Sequence, residues 1–147
     1  MNKKTKIINQ LINVQGYVNA GCIVKKQDYI LVVKLRKTGK WDIPAGKSLP
    51  GELPSKTAER ETWEEAGVQV KVIRLLDFID APAGHGLYIY EAVPSNNQLA
   101  LDVPLEINPQ FAQEIVEARF LPIQDLHQDS FRYPEILPRV IHLFNVI

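Results

Sequence analysis

Two rhythms of hydrophobic positions run along this chain. Residues 16–26 (GYVNAGCIVKK) and 28–35 (DYILVVKL) are dense in β-branched and aromatic side chains, with a short turn between them. They predict two paired strands, a hairpin. The strand pattern returns at 68–80 (VQVKVIRLLDFID) and 87–93 (LYIYEAV), separated by a turn at 81–86 that holds Pro82 and two glycines. Residues 118–121 predict a last short strand. Apolar residues at helical spacing, Ile136, Leu137, Val140, Ile141 and Phe144, predict a closing amphipathic helix over 134–147. A second helix is predicted over 55–66, with Ser55 as N-cap and Gly67 as the C-terminal stop.

The intervals between these elements are punctuated. WDIPAGKSLPGELP at 41–54 carries three prolines and two glycines and predicts a loop. Residues 94–110 hold Pro94, Pro104 and Pro109 and predict a long loop, a kind that is often functional in compact domains. Strands, helix, strands, helix in that order predict an α/β fold, a mixed sheet with helices packed on it, in one domain over 1–147.

Composition narrows the function classes. Lys+Arg is 17 and Asp+Glu is 17, so the formal net charge is zero and a strongly basic nucleic-acid module is not expected. Lys3, Lys4 and Lys6 imitate a signal peptide, but Asn9, Gln10, Asn13 and Gln15 interrupt its apolar part. Residues 1–14 are therefore expected to be a polar arm or first helix. No apolar run is long enough to cross a bilayer. The lone cysteine, Cys22, forms no internal disulfide and reads as a small core residue. These features lead us to expect a cytoplasmic protein.

The 55–66 helix holds the informative chemistry. Glu61, Glu64 and Glu65 stand at i, i+3 and i+4, on one helical face. Ala58, Thr62 and Ala66 form a small-residue stripe beside them, suited to close packing on a sheet, and Lys56, Glu59, Arg60 and Trp63 form the outer face. The pair Glu61 and Glu65 repels by roughly 0.2–0.5 kcal/mol. Glu64 and Glu65 also sit in the last turn, where the helix dipole favours cations. Arg60 can neutralise part of this cluster. Three carboxylates suit a hard ion, Mg²⁺ or Mn²⁺, and Cys22, His85, His127 and His142 make no zinc pattern. A charged run of this kind is more often a solvated helix face. GKS at 46–48 is not a phosphate loop, because Trp41 stands where the first glycine is needed and Pro50 and Gly51 prevent an immediate helix.

The wider pattern shifts the balance. Gly46, Glu52, Arg60, Glu61, Thr62, Glu64, Glu65, Gly67 and Val68 fit G-x5-E-x7-R-E-U-x-E-E-x-G-U. This resembles the Nudix box, the signature of the Nudix hydrolase superfamily. All seven fixed positions match, and Thr62 at the first aliphatic position is a mild departure. A chance match is on the order of one in a million.

The resemblance implies a Nudix fold, an α/β/α sandwich with a mixed sheet. It implies Mg²⁺- or Mn²⁺-dependent cleavage of a phosphoanhydride in a nucleoside di- or triphosphate, a nucleoside-diphosphate-linked compound or a small diphosphate. It makes Glu61, Glu64 and Glu65 metal ligands, together with the Gly46 carbonyl and Glu114, which lies six residues before Phe120. Glu117 is an alternative to Glu114. Arg60 would orient a neighbouring glutamate and Glu52 would support the loop. The general base is Glu61, with Glu64, Glu65 and Glu114 as alternatives. Arg36 and Lys47 are candidate phosphate contacts, or else ordinary surface cations. Trp41 would pack under the loop, and His85 is a turn residue able to touch substrate. The partner is a small-molecule substrate, with no nucleic-acid polymer and no membrane, and a homodimer is possible on this fold. A non-catalytic nucleotide-binding or sensor domain is the alternative. Isoprenoid diphosphate isomerisation needs a reactive cysteine that Cys22, in the first strand, does not supply.

Overall fold

The structure, a computed structural model, describes residues 18–80 and 86–147. The expected arm at 1–14, most of the 81–86 turn and His85 lie outside the described residues. The strands are β1 (Asn19–Lys26), β2 (Tyr29–Leu35), β3 (Trp41–Asp42), β4 (Ala45–Lys47), β5 (Val70–Asp80), β6 (Gly86–Pro94) and β7 (Ile115–Pro122). The helices are α1 (Pro54–Ala66) and α2 (Leu137–Val146), and short 3-10 turns at Ile123–Asp125 and Gln128–Ser130 lead into α2.

Alternation along the strands explains why helices cover both faces. In β1, Cys22 and Val24 point to one side and Ile23 to the other; in β2, Leu31 and Val33 oppose Ile30 and Val32. All are buried, so neither face is left to solvent. One core joins Cys22, Val24, Leu31, Val33, Tyr88, Tyr90 and Phe120 to Ala58 and Ala66 of α1. The second joins Ile23, Ile30, Val32 and Ile89 to Leu137, Val140, Leu143 and Phe144 of α2. Burying each such side chain is worth roughly 1.5–3 kcal/mol before the entropy of ordering. The result is the expected sandwich.

The sheet is mixed. β1 runs parallel to β6, while β1–β2, β1–β4, β5–β6, β2–β3 and β2–β7 are antiparallel. The predicted hairpin closes at Lys26 and Tyr29, through Gln27 at φ 55°. The 41–54 segment differs from expectation. It contains β3 and β4, too short to show periodicity, which neighbours hold: Lys34 pairs with Trp41, and Ala20 with Gly46. β7 is also longer than the predicted 118–121, because Ile115–Pro122, apart from Val116, ladders against β2.

Helix α1 begins one residue earlier than its pattern suggested. Pro54 takes the first helical position, where its missing N–H is no loss, so Leu53 and not Ser55 flanks the start. The Leu53 carbonyl accepts from the amides of Lys56 and Thr57 at 2.9 and 3.0 Å. The other end closes as expected: Gly67, at φ 71°, donates its N–H to the Trp63 carbonyl at 2.9 Å. The stripe of Ala58, Thr62 and Ala66 is fully buried, and the Thr62 hydroxyl is satisfied by the Ala58 carbonyl at 2.7 Å. Helix α2 ends on Lys25, whose Nζ donates to the carbonyls of Phe144 and Ile147, both at 2.9 Å, a cation where the helix dipole favours one.

Candidate active site

Pairing of β4 with β1 carries Gly46 against helix α1. A Cβ at Gly46 would lie 2.2 Å from Cδ of Glu61 and 2.6 Å from each of its oxygens. Only a glycine leaves that carboxylate room. The approach to β4 is pinned by Ser48, whose buried hydroxyl accepts from the Val18 amide at 3.0 Å while its own amide donates to the Val18 carbonyl at 2.8 Å.

Arg60 is the hub. Its Nε and Nη2 donate to Glu52 at 2.9 and 3.1 Å, a two-pronged grip. Nη1 donates to Glu61 at 2.9 Å and Glu64 at 3.0 Å, and Nη2 also reaches the Lys47 carbonyl at 3.0 Å. The expected outer face is thus corrected at two positions. Arg60 is drawn inward by the folded-over 47–52 segment, and Glu59 accepts the Val72 amide of β5 at 2.8 Å. The helical wheel sees neither neighbour. Trp63 does face outward, 41% exposed, with its ring 5.1 Å from that of Phe111.

The carboxylates differ in electrostatic character. Burial opposes the charge of Glu52, but bonds from Arg60, Thr57 and the Leu49 amide outweigh it and hold its carboxyl below the usual range. Burial raises Glu61, which Arg60 offsets in part and the Glu64 charge reinforces. Glu65 is pushed up to about 8, first by burial. The Ala45 amide donates to it at 2.9 Å and lowers it, and the charges of Glu61 and Asp42 raise it again.

The three helix glutamates share a face; Glu61 and Glu64 are held together by Nη1 of Arg60, and Glu65 by the Ala45 amide. Among the described residues, no three His, Cys, Asp or Glu side chains already converge on a point. Their chemistry still suits a divalent ion. Two buried carboxyls carry raised pKa values, all donors are oxygens, and Gly46 leaves a backbone approach beside Glu61.

The other expected site residues are placed as follows. Glu114 immediately precedes β7, is exposed, and makes no side-chain bond among the described residues. Glu117 is engaged by Arg119 Nε at 2.8 Å. Lys47 ends β4 with an exposed side chain. Arg36 is exposed, one residue past the end of β2. Its Nε donates to the Gln113 carbonyl at 3.2 Å and its Nη2 to the Ile115 carbonyl at 3.5 Å. Trp41 is half-buried, with Lys34 Nζ 4.9 Å from its ring centre. Cys22 is buried with its thiol pushed up to about 12, chiefly by burial, so it is no nucleophile.

Asp42 and Arg132 escaped the sequence reading. Burial raises the Asp42 carboxyl to about 7, against the Arg132 charge and the Ile43 amide, which donates at 2.9 Å. Arg132 Nη1 stands 3.8 Å from Asp42, and its amide donates to the Trp41 carbonyl at 2.8 Å. A separation of 90 positions along the chain hides the pair from any local pattern. The only hint was an acid between Trp41 and Pro44.

Known proteins are similar to this chain. Mouse (Mus musculus) 8-oxo-dGDP phosphatase NUDT18 is 30% identical over 86 residues, 56% of this chain and 27% of that protein. Human (Homo sapiens) diphosphoinositol polyphosphate phosphohydrolase 2 is 37% identical over 67 residues, 45% of this chain and 37% of that one. The chain thus spans well under half the length of these curated relatives. The crystal structure of a NUDIX hydrolase from Nitrosomonas europaea superposes with a TM-score of 0.67 at 26% identity, covering 86% of this chain and 70% of that one. The family model described as NUDIX domain matches residues 17–141, and with that span, the fold and the box geometry in agreement, the chain belongs to the NUDIX domain family.

Proposed function

We propose that this protein is a Mg²⁺- or Mn²⁺-dependent hydrolase of a phosphoanhydride bond in a small nucleoside-diphosphate-type compound. One observation carries the reading: the residues of the box meet in space, with Gly46 against Glu61 and Arg60 gripping Glu52, Glu61 and Glu64. Similarity to an 8-oxo-dGDP phosphatase and to a diphosphoinositol polyphosphate phosphohydrolase supports it, since both names describe attack on linked phosphates.

In this reading the Gly46 carbonyl, Glu61, Glu64, Glu65 and Glu114 hold the ion. When bound, it neutralises phosphate charge and makes water more acidic. Arg60 holds Glu61 and Glu64 in place and Lys47 meets the phosphates from the end of β4. Glu61 accepts the proton of the attacking water. Residues 1–147 act as one domain, and one buried thiol suits a reducing cytosol.

The test is a panel of nucleoside di- and triphosphates, nucleotide sugars, dinucleoside polyphosphates and inositol pyrophosphates, assayed for phosphate or pyrophosphate release. Turnover that requires Mg²⁺ or Mn²⁺ is expected. Absence of turnover across the panel with both ions overturns the reading.

A further inference from the structure

We propose that Arg36 is a positioning residue that clips the backbone on both sides of Glu114 and so sets the position from which its carboxylate serves the helix glutamates. The inference rests on the functional reading above, and it deepens it.

Three contacts join Arg36 to the three consecutive residues 113–115. Its amide donates to the Glu114 carbonyl at 2.7 Å, its Nε to the Gln113 carbonyl at 3.2 Å, and its Nη2 to the Ile115 carbonyl at 3.5 Å. The rigid planar fork of a guanidinium can meet two carbonyls that straddle one residue. Nothing holds the Glu114 side chain itself among the described residues, so these backbone contacts fix where it starts while its χ angles stay free.

The clip also sits at an irregularity. Lys34 pairs with Glu117, yet Leu35 pairs with Ile115, so Val116 is an extra residue on β7 and 42% exposed. Such a bulge bends the strand and re-aims the residues beside it. Arg36 leaves β2 one residue past the slip and fastens the segment that the bulge has turned. On the other side of Glu114, the amides of Phe111 and Ala112 close a turn on the Asn108 carbonyl at 3.1 and 3.0 Å, and the Phe111 ring rests against Trp63 of α1. Glu114 is thereby suspended between helix α1 and strand β2. A guanidinium whose donors lie on main-chain carbonyls is poorly placed to serve as a phosphate ligand.

The experiment compares wild type with Arg36→Ala, Arg36→Lys, Glu114→Gln and the Arg36→Ala/Glu114→Gln double variant, on the best substrate of the panel. Arg36→Ala is expected to lower kcat about tenfold with KM changed less than twofold. Lysine, which lacks the fork, should not restore kcat. The double variant should be no slower than Glu114→Gln alone, because both changes act through one carboxylate. A raised KM at unchanged kcat, rescue by lysine, or multiplicative losses in the double variant overturn the proposal in favour of a phosphate contact. Amide hydrogen exchange supplies a readout independent of substrate. Residues 112–115 should exchange at least several-fold faster in Arg36→Ala while β1 and β6 are unaffected, and unchanged exchange there overturns the clip. A wild type without turnover overturns the functional reading, and the catalytic half of this proposal with it, while exchange still decides the clip.

Discussion

The Cα of Gly46 faces the carboxylate of Glu61 so closely that a methyl group in its place would sit 2.2 Å from the carboxyl carbon. Glu61 can yield only by breaking its 2.9 Å bond from Arg60, which Glu52 holds in turn. Gly46→Ala should therefore displace the carboxylate, by about 1 Å or more, and not distort the β4 backbone. A misplacement of that size is worth about a hundredfold in rate. Steady-state kinetics should show the loss in kcat while the circular dichroism spectrum and Tm stay near wild type. Full activity in Gly46→Ala would remove Glu61 from the reacting geometry.

Glu64 shares Nη1 of Arg60 with Glu61, at 3.0 Å, and is partly exposed. Glu64→Gln keeps its shape and an acceptor for Arg60 but loses the charge a hard cation needs. Turnover should fall by orders of magnitude and Mg²⁺ should be required at higher concentration, with little change in thermal stability. Metal titration of activity, with Mn²⁺ binding followed by electron paramagnetic resonance, checks both parts. Retained activity and Mn²⁺ affinity would show that Glu64 only balances Arg60.

Legibility followed locality. The spacing of Glu61, Glu64 and Glu65 along one helix and the stop at Gly67 are set within a few residues, and the structure keeps them. The β-branched and aromatic content of 16–26 and 28–35, with the short turn between them, foretold the hairpin for the same reason. The failures, apart from the local one at Ser55, involve chain that comes from elsewhere. Ser55 resembles a cap in isolation, but Pro54 is already in the helix. Arg60 looked solvent-facing until the 47–52 segment folded over it, and Glu59 until β5 brought the Val72 amide. β3 and β4 are strands only because β2 and β1 lie alongside. The grip of Arg36 on residues 113–115 spans nearly eighty positions and has no sequence signature.

Asp42 gives the site a pH signature in stability. Its folded pKa is raised from 3.8 to about 7, mainly by burial, while the unfolded chain ionises near 3.8. Between those values the unfolded state releases a proton that the folded state retains. This group's contribution to stability is therefore complete below about pH 4, falls as pH rises toward 7, and is constant above. Asn at this position keeps an acceptor for the Ile43 amide and has no such slope. The difference in Tm between Asp42→Asn and wild type should increase from pH 5 to 7 and level off by pH 8. A difference that stays flat would mean that Arg132 keeps Asp42 ionised throughout.

Gly67 belongs to the same 23-residue pattern, yet its surroundings assign it to stability. It holds φ at 71°, a conformation that costs an L-residue roughly 1–2 kcal/mol. A Cβ there would also lie 2.3 Å from the Glu106 carbonyl oxygen, which is backbone and cannot rotate away. Gly67→Ala meets both penalties. Gly67→Asn relieves part of the first, since asparagine tolerates the left-handed region, and none of the second. Each kcal/mol is worth about 2–4 °C in a domain of about this size. Alanine should thus lower Tm by several degrees and asparagine by a little less, with kcat per folded molecule within about twofold of wild type in both. Equal losses would assign the whole effect to the contact with Glu106. A fall in kcat without a fall in Tm would instead give Gly67 a direct part in the chemistry, against the geometry of a helix stop.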